Sequence, residues 1–130
     1  DNATITSAVM TLTVEGVTGV SPFPTFAPLG VDIKTGAYGG NNALAPGDFQ
    51  AGSTRNQIAQ FSDPGGGVLS SAVIPSAYFS FINNTGRTQF RLRFNLDDND
   101  NRSDDYVRFY SGEAVVTAVR PVLILTYTLP

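Results

Sequence analysis

The sequence predicts an all-β chain: an antiparallel two-sheet sandwich, jelly-roll-like, with at most two short helical turns. Three observations carry this. Apolar residues recur at every second position, the alternation of a half-buried strand. Turn residues are dense, with 13 Gly and 8 Pro in 130 residues. No long stretch has the 3.6-residue period of an amphipathic helix, so no helical crossover joins the strands.

The strands follow in order. Ala8, Met10, Leu12 and Val14 alternate with Val9, Thr11, Thr13 and Glu15. Leu29, Val31 and Ile33 alternate with Asp32 and Lys34. Gln57 to Phe61, Val68 to Val73 and Tyr106 to Tyr110 are shorter candidates rich in β-branched and aromatic residues. Phe90, Leu92, Phe94 and Leu96 alternate with Gln89, Arg91, Arg93 and Asn95. Leu123, Leu125, Tyr127 and Leu129 alternate with Ile124, Thr126 and Thr128, which turns Tyr127 to the core. Leu44–Ala51 and Ser76–Ile82 read as helical or irregular, Pro46 and Pro75 marking their starts. Pro22 to Pro28 reads as a long surface loop. No repeat or linker divides the chain, so residues 1–130 form one sandwich domain.

Composition excludes several functions. The chain has no Cys and no His, which removes disulfides, Cys nucleophiles, the common zinc sites and Ser-His-Asp triads. The only Glu residues, Glu15 and Glu113, are far apart in sequence, and Lys34 is the only Lys, with no S-x-x-K motif. An enzyme is not expected. With 8 basic against 11 acidic residues the net charge is −3, so no basic face for nucleic acid is expected. The apolar run Val122–Leu125 is far shorter than the roughly 20 residues of a bilayer span, so no membrane insertion is expected either.

Two clusters bear on chemistry. Asp97, Asp98, Asp100, Asp104 and Asp105 crowd the connection before Tyr106, and hard oxygen ligands in a short loop suit Ca²⁺. The Gly and the distant bidentate Glu of an EF-hand are missing. The plainer reading is a loop whose Asp and Asn side chains bond their own backbone, neutralised by Arg91, Arg93, Arg102 and Arg108. The second cluster, Arg91, Arg93 and Arg108 with Tyr106 and Tyr110, suits a carboxylate or a sugar. The plainer reading there is a ladder of Arg–Asp and Arg–Tyr pairs on a sheet face. Tyr38, in a glycine-rich stretch, is a further candidate for stacking on sugar, although the chain has no Trp.

Two blocks resemble a known family. The start, Asp1-Asn2-Ala3-Thr4-Ile5-Thr6-Ser7-Ala8-Val9-Met10-Thr11-Leu12, is similar to the "gatItsAtLrLy" stretch of DNRLRE-type domains. Gly86 to Phe94, then Asp97 to Asp100, Asp105 to Gly112 and Arg120 to Ile124, resemble the C-terminal half of those domains in bacterial, Chloroflexi-like, surface and secreted proteins. The resemblance implies an extracellular or cell-surface β-sandwich without catalysis. Family members begin some strands before the position of Asp1, so it also implies a sandwich short of N-terminal strands, with an open edge. The resulting expectation is a structural or adhesive module that assembles through sheet edges. Its partners are then further copies of itself or a complementary strand from another chain. The alternative is a carbohydrate-binding module of a secreted polysaccharide-degrading or cell-surface protein, with polysaccharide as partner.

Overall fold

The computed structural model describes residues 3–26, 28–65, 67, 69–96 and 99–130. Its strands are β1 (Thr4–Thr18), β2 (Leu29–Thr35), β3 (Arg55–Phe61), β4 (Leu69–Val73), β5 (Thr88–Arg93), β6 (Tyr106–Phe109) and β7 (Val122–Thr128). They form two antiparallel sheets. The expected fold class is therefore the one observed, and every expected strand is present.

β1 is the spine of the first sheet. Its 15 residues are long enough to serve three partners. β4 runs along one edge, pairing Val9 to Thr13 with Val73 to Leu69. On the other edge β7 pairs with Thr4 to Thr11 and β6 with Val14 to Thr18. Backbone bonds fix these edges: Ala8 O accepts from Ile74 N, and Thr13 O accepts from Tyr110 N. Even-numbered and odd-numbered residues of a strand turn their amides to opposite sides. The second sheet has the order β3-β2-β5, with Val31 opposite Leu92 and Ile33 opposite Phe90.

The core lies between the sheets. Ala8, Met10 and Leu12 face Val31, Ile33, Ile58 and Phe61, all buried, and Val14 is buried as well. Each fully buried Ile or Phe of this kind contributes roughly 1.5–3 kcal/mol. The expected irregular segments form the 3₁₀ turns Pro46–Phe49 and Ser76–Phe81. Further 3₁₀ turns lie at Tyr38–Gly40 and Thr117–Val119. Pro22–Phe26, read from sequence as a loop, is a five-residue helix, α1. Pro22 opens it, and one turn of helix brings Phe23 and Phe26 together against Phe94, with ring centroids 5.3 and 6.1 Å away.

The two sheets are unequal. β7 lies against β1, and no described element of the second sheet covers it, because that sheet ends at β5. All seven β7 residues are exposed. The expectation that Tyr127 reaches the core is thus corrected: it is 56% exposed. Its position opposite Ile5 puts it on the inner face of the sheet, but nothing lies over that face there.

Candidate functional site

The site is built around β5, an edge strand whose two faces do different work. Phe90 and Leu92 pack against the core. Arg91 and Arg93 project from the opposite face, where alternation places them beside Asp32 of β2. The Asp32 side chain has no exposed surface. Its Oδ2 accepts from Arg91 Nη2 and Arg93 Nε, both at 2.8 Å, and its Oδ1 accepts from the backbone N of Gln57 at 2.9 Å. Burial by itself pushes this carboxyl's pKa up. The hydrogen bonds from Arg91, Arg93 and Gln57 outweigh it and hold the pKa below the ordinary aspartate value.

Arg91 extends this clip outward. Its Nη1 donates to the carbonyls of Asp48, Phe49 and Ala51 at 3.0, 3.0 and 2.8 Å. One guanidinium thereby fastens the 46–51 segment over the second sheet. Its plane also lies over the Tyr38 ring, 4.6 Å from the centroid. Tyr38, expected as an exposed sugar platform, is instead 4% exposed, and burial pushes its phenol pKa up. Its backbone N is held by Gln89 Oε1 at 2.7 Å, which draws the residue inward.

The edge of β5 that no described strand pairs borders a groove of about 920 Å³. The inner wall is apolar: Leu29, Leu92, Phe94, Val107 and Phe109. The outer wall is the 49–53 segment held by Arg91, with Arg93 beside it. Phe49 is 69% exposed and Leu96 is 55% exposed at its rim.

β7 is the complementary feature. Val122, Leu123, Ile124 and Leu125 form a continuous apolar run, the pattern of a strand buried on both faces. All four are exposed, from 36 to 55%. The strand carries no charged residue, and only β1 pairs with it among the described residues.

The five sequence-predicted binding residues do not form one cluster. Arg91 and Arg93 share the outer face of the second sheet. Tyr106 and Arg108 lie on β6, on the face opposite the core-packed Val107 and Phe109. Arg108 pairs with Glu15 at 3.5 Å, donates to Thr18 Oγ1 at 3.1 Å and sits 5.7 Å from the Tyr106 ring centroid. Tyr110 directly follows β6, with its backbone N on Thr13 O. The ladder reading of the arginines describes these contacts, with Asp32 and Glu15 as the acids.

Of the proposed Ca²⁺ ligands, Asp97 and Asp98 lie outside the described residues. Asp105 closes the loop onto the first sheet: Oδ1 accepts from Val20 N at 2.8 Å and Oδ2 from Asn101 Nδ2 at 3.0 Å. These hydrogen bonds, the Val20 bond foremost, hold the Asp105 pKa low. Asn99 Oδ1 accepts from Asn101 N, and Asn101 Oδ1 accepts from Ser103 N. These are Asx turns, the self-bonding expected of such a loop. Asp100 adopts a positive φ of 55° within it, and Asp104 is exposed. No group of three or more metal-ligating residues is found among the described residues.

Sequence reasoning missed the partner of the two arginines and the groove. Asp32 was a visible signal: a lone acid between Val31 and Ile33, on a strand whose other residues are apolar or small as far as Lys34. Phe49 carried no signal, because its position depends on where Arg91 pins the turn. Comparison with protein-family models, with curated proteins and with solved structures finds no match to this chain.

Proposed function

We propose that this chain is a non-catalytic structural and adhesive module of an extracellular or cell-surface assembly, joined to its neighbours through β-sheet edges in a fibre or surface layer. The observation that supports this reading is β7. A strand edge offers unpaired N–H and C=O groups to any chain that approaches, and proteins normally guard such edges with charges, prolines or a covering element. Among the described residues β7 has none of these between Val122 and Thr128, and its Val122–Leu125 run is apolar and exposed on both faces. Strand addition supplies the missing hydrogen bonds, and the side chains supply the contact. The extracellular setting rests on the resemblance to DNRLRE-type surface modules.

The test is sedimentation velocity over a concentration series, with electron microscopy of the same samples. Species larger than the monomer are expected to grow with concentration. They should vanish in Ile124→Lys/Tyr127→Lys, which puts a charge on each face of β7. Unchanged assembly in that variant would overturn the proposal, as would a wild-type chain that stays monomeric up to its solubility limit.

A further inference from the structure

The accessible surface is larger than the chain's size requires. A folded monomer of 13.8 kDa exposes roughly 6,600 Å² by the usual scaling. This chain exposes 7948 Å², an excess of about 1,300 Å² over that scaling. A standard interface takes about 800 Å² from each partner. The excess therefore accommodates burial at two sites of about 650 Å² each, or about 1,300 Å² per junction, within the standard range.

The fold offers two such sites, and they are unlike. β7 projects, apolar on both faces. The β5 edge is recessed, with a groove that wraps around it. Because Ala8 turns its carbonyl to Ile74, odd-numbered residues of β1 turn theirs to β7, where their partners are Val122, Ile124 and Thr126. The N–H and C=O groups of Leu123, Leu125 and Tyr127 therefore point away from β1. The same reasoning applies to β5. Gly36 N donates to Arg87 O, so Gln89 and Arg91 bond toward β2, and Phe90 and Leu92 turn their backbone groups to the free edge. On both strands the residues with free backbone groups carry their side chains on the inner face. Pairing the two edges thus sets Leu123 and Leu125 on the same face as Phe90 and Leu92. A strand paired there would carry Leu123 and Leu125 toward Val107 and Phe109, and Val122 and Ile124 toward Phe49, three residues that line the groove.

We infer that the occupant of the groove beside β5 is β7 of a second copy of this chain, so that copies join head to tail. This rests on the edge-assembly reading above and specifies its partner. Two β7 strands paired with each other would form a closed dimer but leave both faces of the Val122–Leu125 run uncovered. The groove covers both. Unlike surfaces joined in this way give an open filament or a closed ring, the smallest ring being a pair of copies that exchange both strands.

The experiment uses two double variants at exposed positions, so that each folds: a donor-blocked chain, Ile124→Lys/Tyr127→Lys, and an acceptor-blocked chain, Phe49→Lys/Leu96→Lys. Circular dichroism should match wild type in both, and so should melting at concentrations where wild type is monomeric. Sedimentation should show each variant alone as a monomer. Their equimolar mixture should stop at twice the monomer mass, because it retains one intact donor and one intact groove. An acceptor-blocked chain that still dimerises would overturn the head-to-tail inference and leave edge assembly standing. So would an equimolar mixture of the two variants that stays monomeric where wild type assembles. A wild type that never leaves the monomer would overturn both.

Discussion

Asp32 lies directly across the β2–β5 ladder from Arg91, and 2.8 Å separates its buried Oδ2 from the Arg91 Nη2. The pair joins three parts of the molecule. The carboxylate also holds Arg93 and the start of β3 through Gln57 N, and the guanidinium holds the 46–51 segment. Removing one partner of a buried ion pair leaves the other charge without compensation, which costs far more than the pair contributes. Asp32→Asn should therefore lower unfolding stability by about 3 kcal/mol, the low end for a buried pair because both arginines keep some exposure. Urea unfolding measures this. In an Asp32→Asn/Arg91→Met double variant the loss should be smaller than the two single losses added together.

The same carboxylate sets an acid limb. Its folded pKa lies below the unfolded value of about 3.9, so its contribution is fully present above that value and is lost as pH falls through the folded pKa. The melting temperature of the wild type should be flat from neutral pH to about pH 5 and fall steeply below about pH 4. In Asp32→Asn the fall should be shallower, since the residue cannot take up the proton. An identical acid limb in the two proteins would show that Asp32 is not its source.

Arg91→Lys tests the clip on the groove wall. Lysine keeps the charge but not the planar fork that reaches Asp32 and three carbonyls at once. The 46–53 segment should open more often. A loss of about 1.4 kcal/mol, close to the lower end for one hydrogen bond to a charged group, accelerates its amide exchange about tenfold. Amides of β1 should accelerate less, since that strand belongs to the other sheet and opens only with the whole fold.

The fold was legible because strand alternation is local. The pattern of Ala8 to Val14 needs only the next residue but one to declare which side faces the core, and the structure buries those four positions. What was not legible was non-local. Tyr127 keeps the period of Leu123 and Leu125, but whether an inner face is covered depends on how many strands lie opposite. The second sheet stops at β5, so the periodicity placed Tyr127 on the right face and gave it the wrong burial. Arg91 and Arg93 stood closer in sequence to the acidic run at Asp97–Asp105 than to Asp32. Register brought them to the distant acid. Tyr38 was misjudged for a related reason: the glycines beside it signal a turn, and a turn folded back under an arginine is buried.

Gly19 decides how the acidic loop meets the first sheet. Its φ is +69°, a left-handed conformation that an L side chain adopts only at a cost of roughly 1–2 kcal/mol. A Cβ at Gly19 would also collide with the Asp105 carboxylate and the Asp104 carbonyl. Gly40 provides the comparison, with φ +76° and open space around its Cβ position. Gly40→Ala should cost only the backbone strain, roughly 1–2 kcal/mol. Gly19→Ala should cost clearly more, because the acidic loop must move as well. Movement breaks the bond from Val20 N to Asp105 Oδ1, the foremost cause of the low Asp105 pKa. An NMR titration should therefore find the Asp105 pKa shifted upward in Gly19→Ala and unchanged in Gly40→Ala. Equal stability losses in the two variants, or an Asp105 pKa that does not move, would show that the loop does not depend on the approach of Gly19.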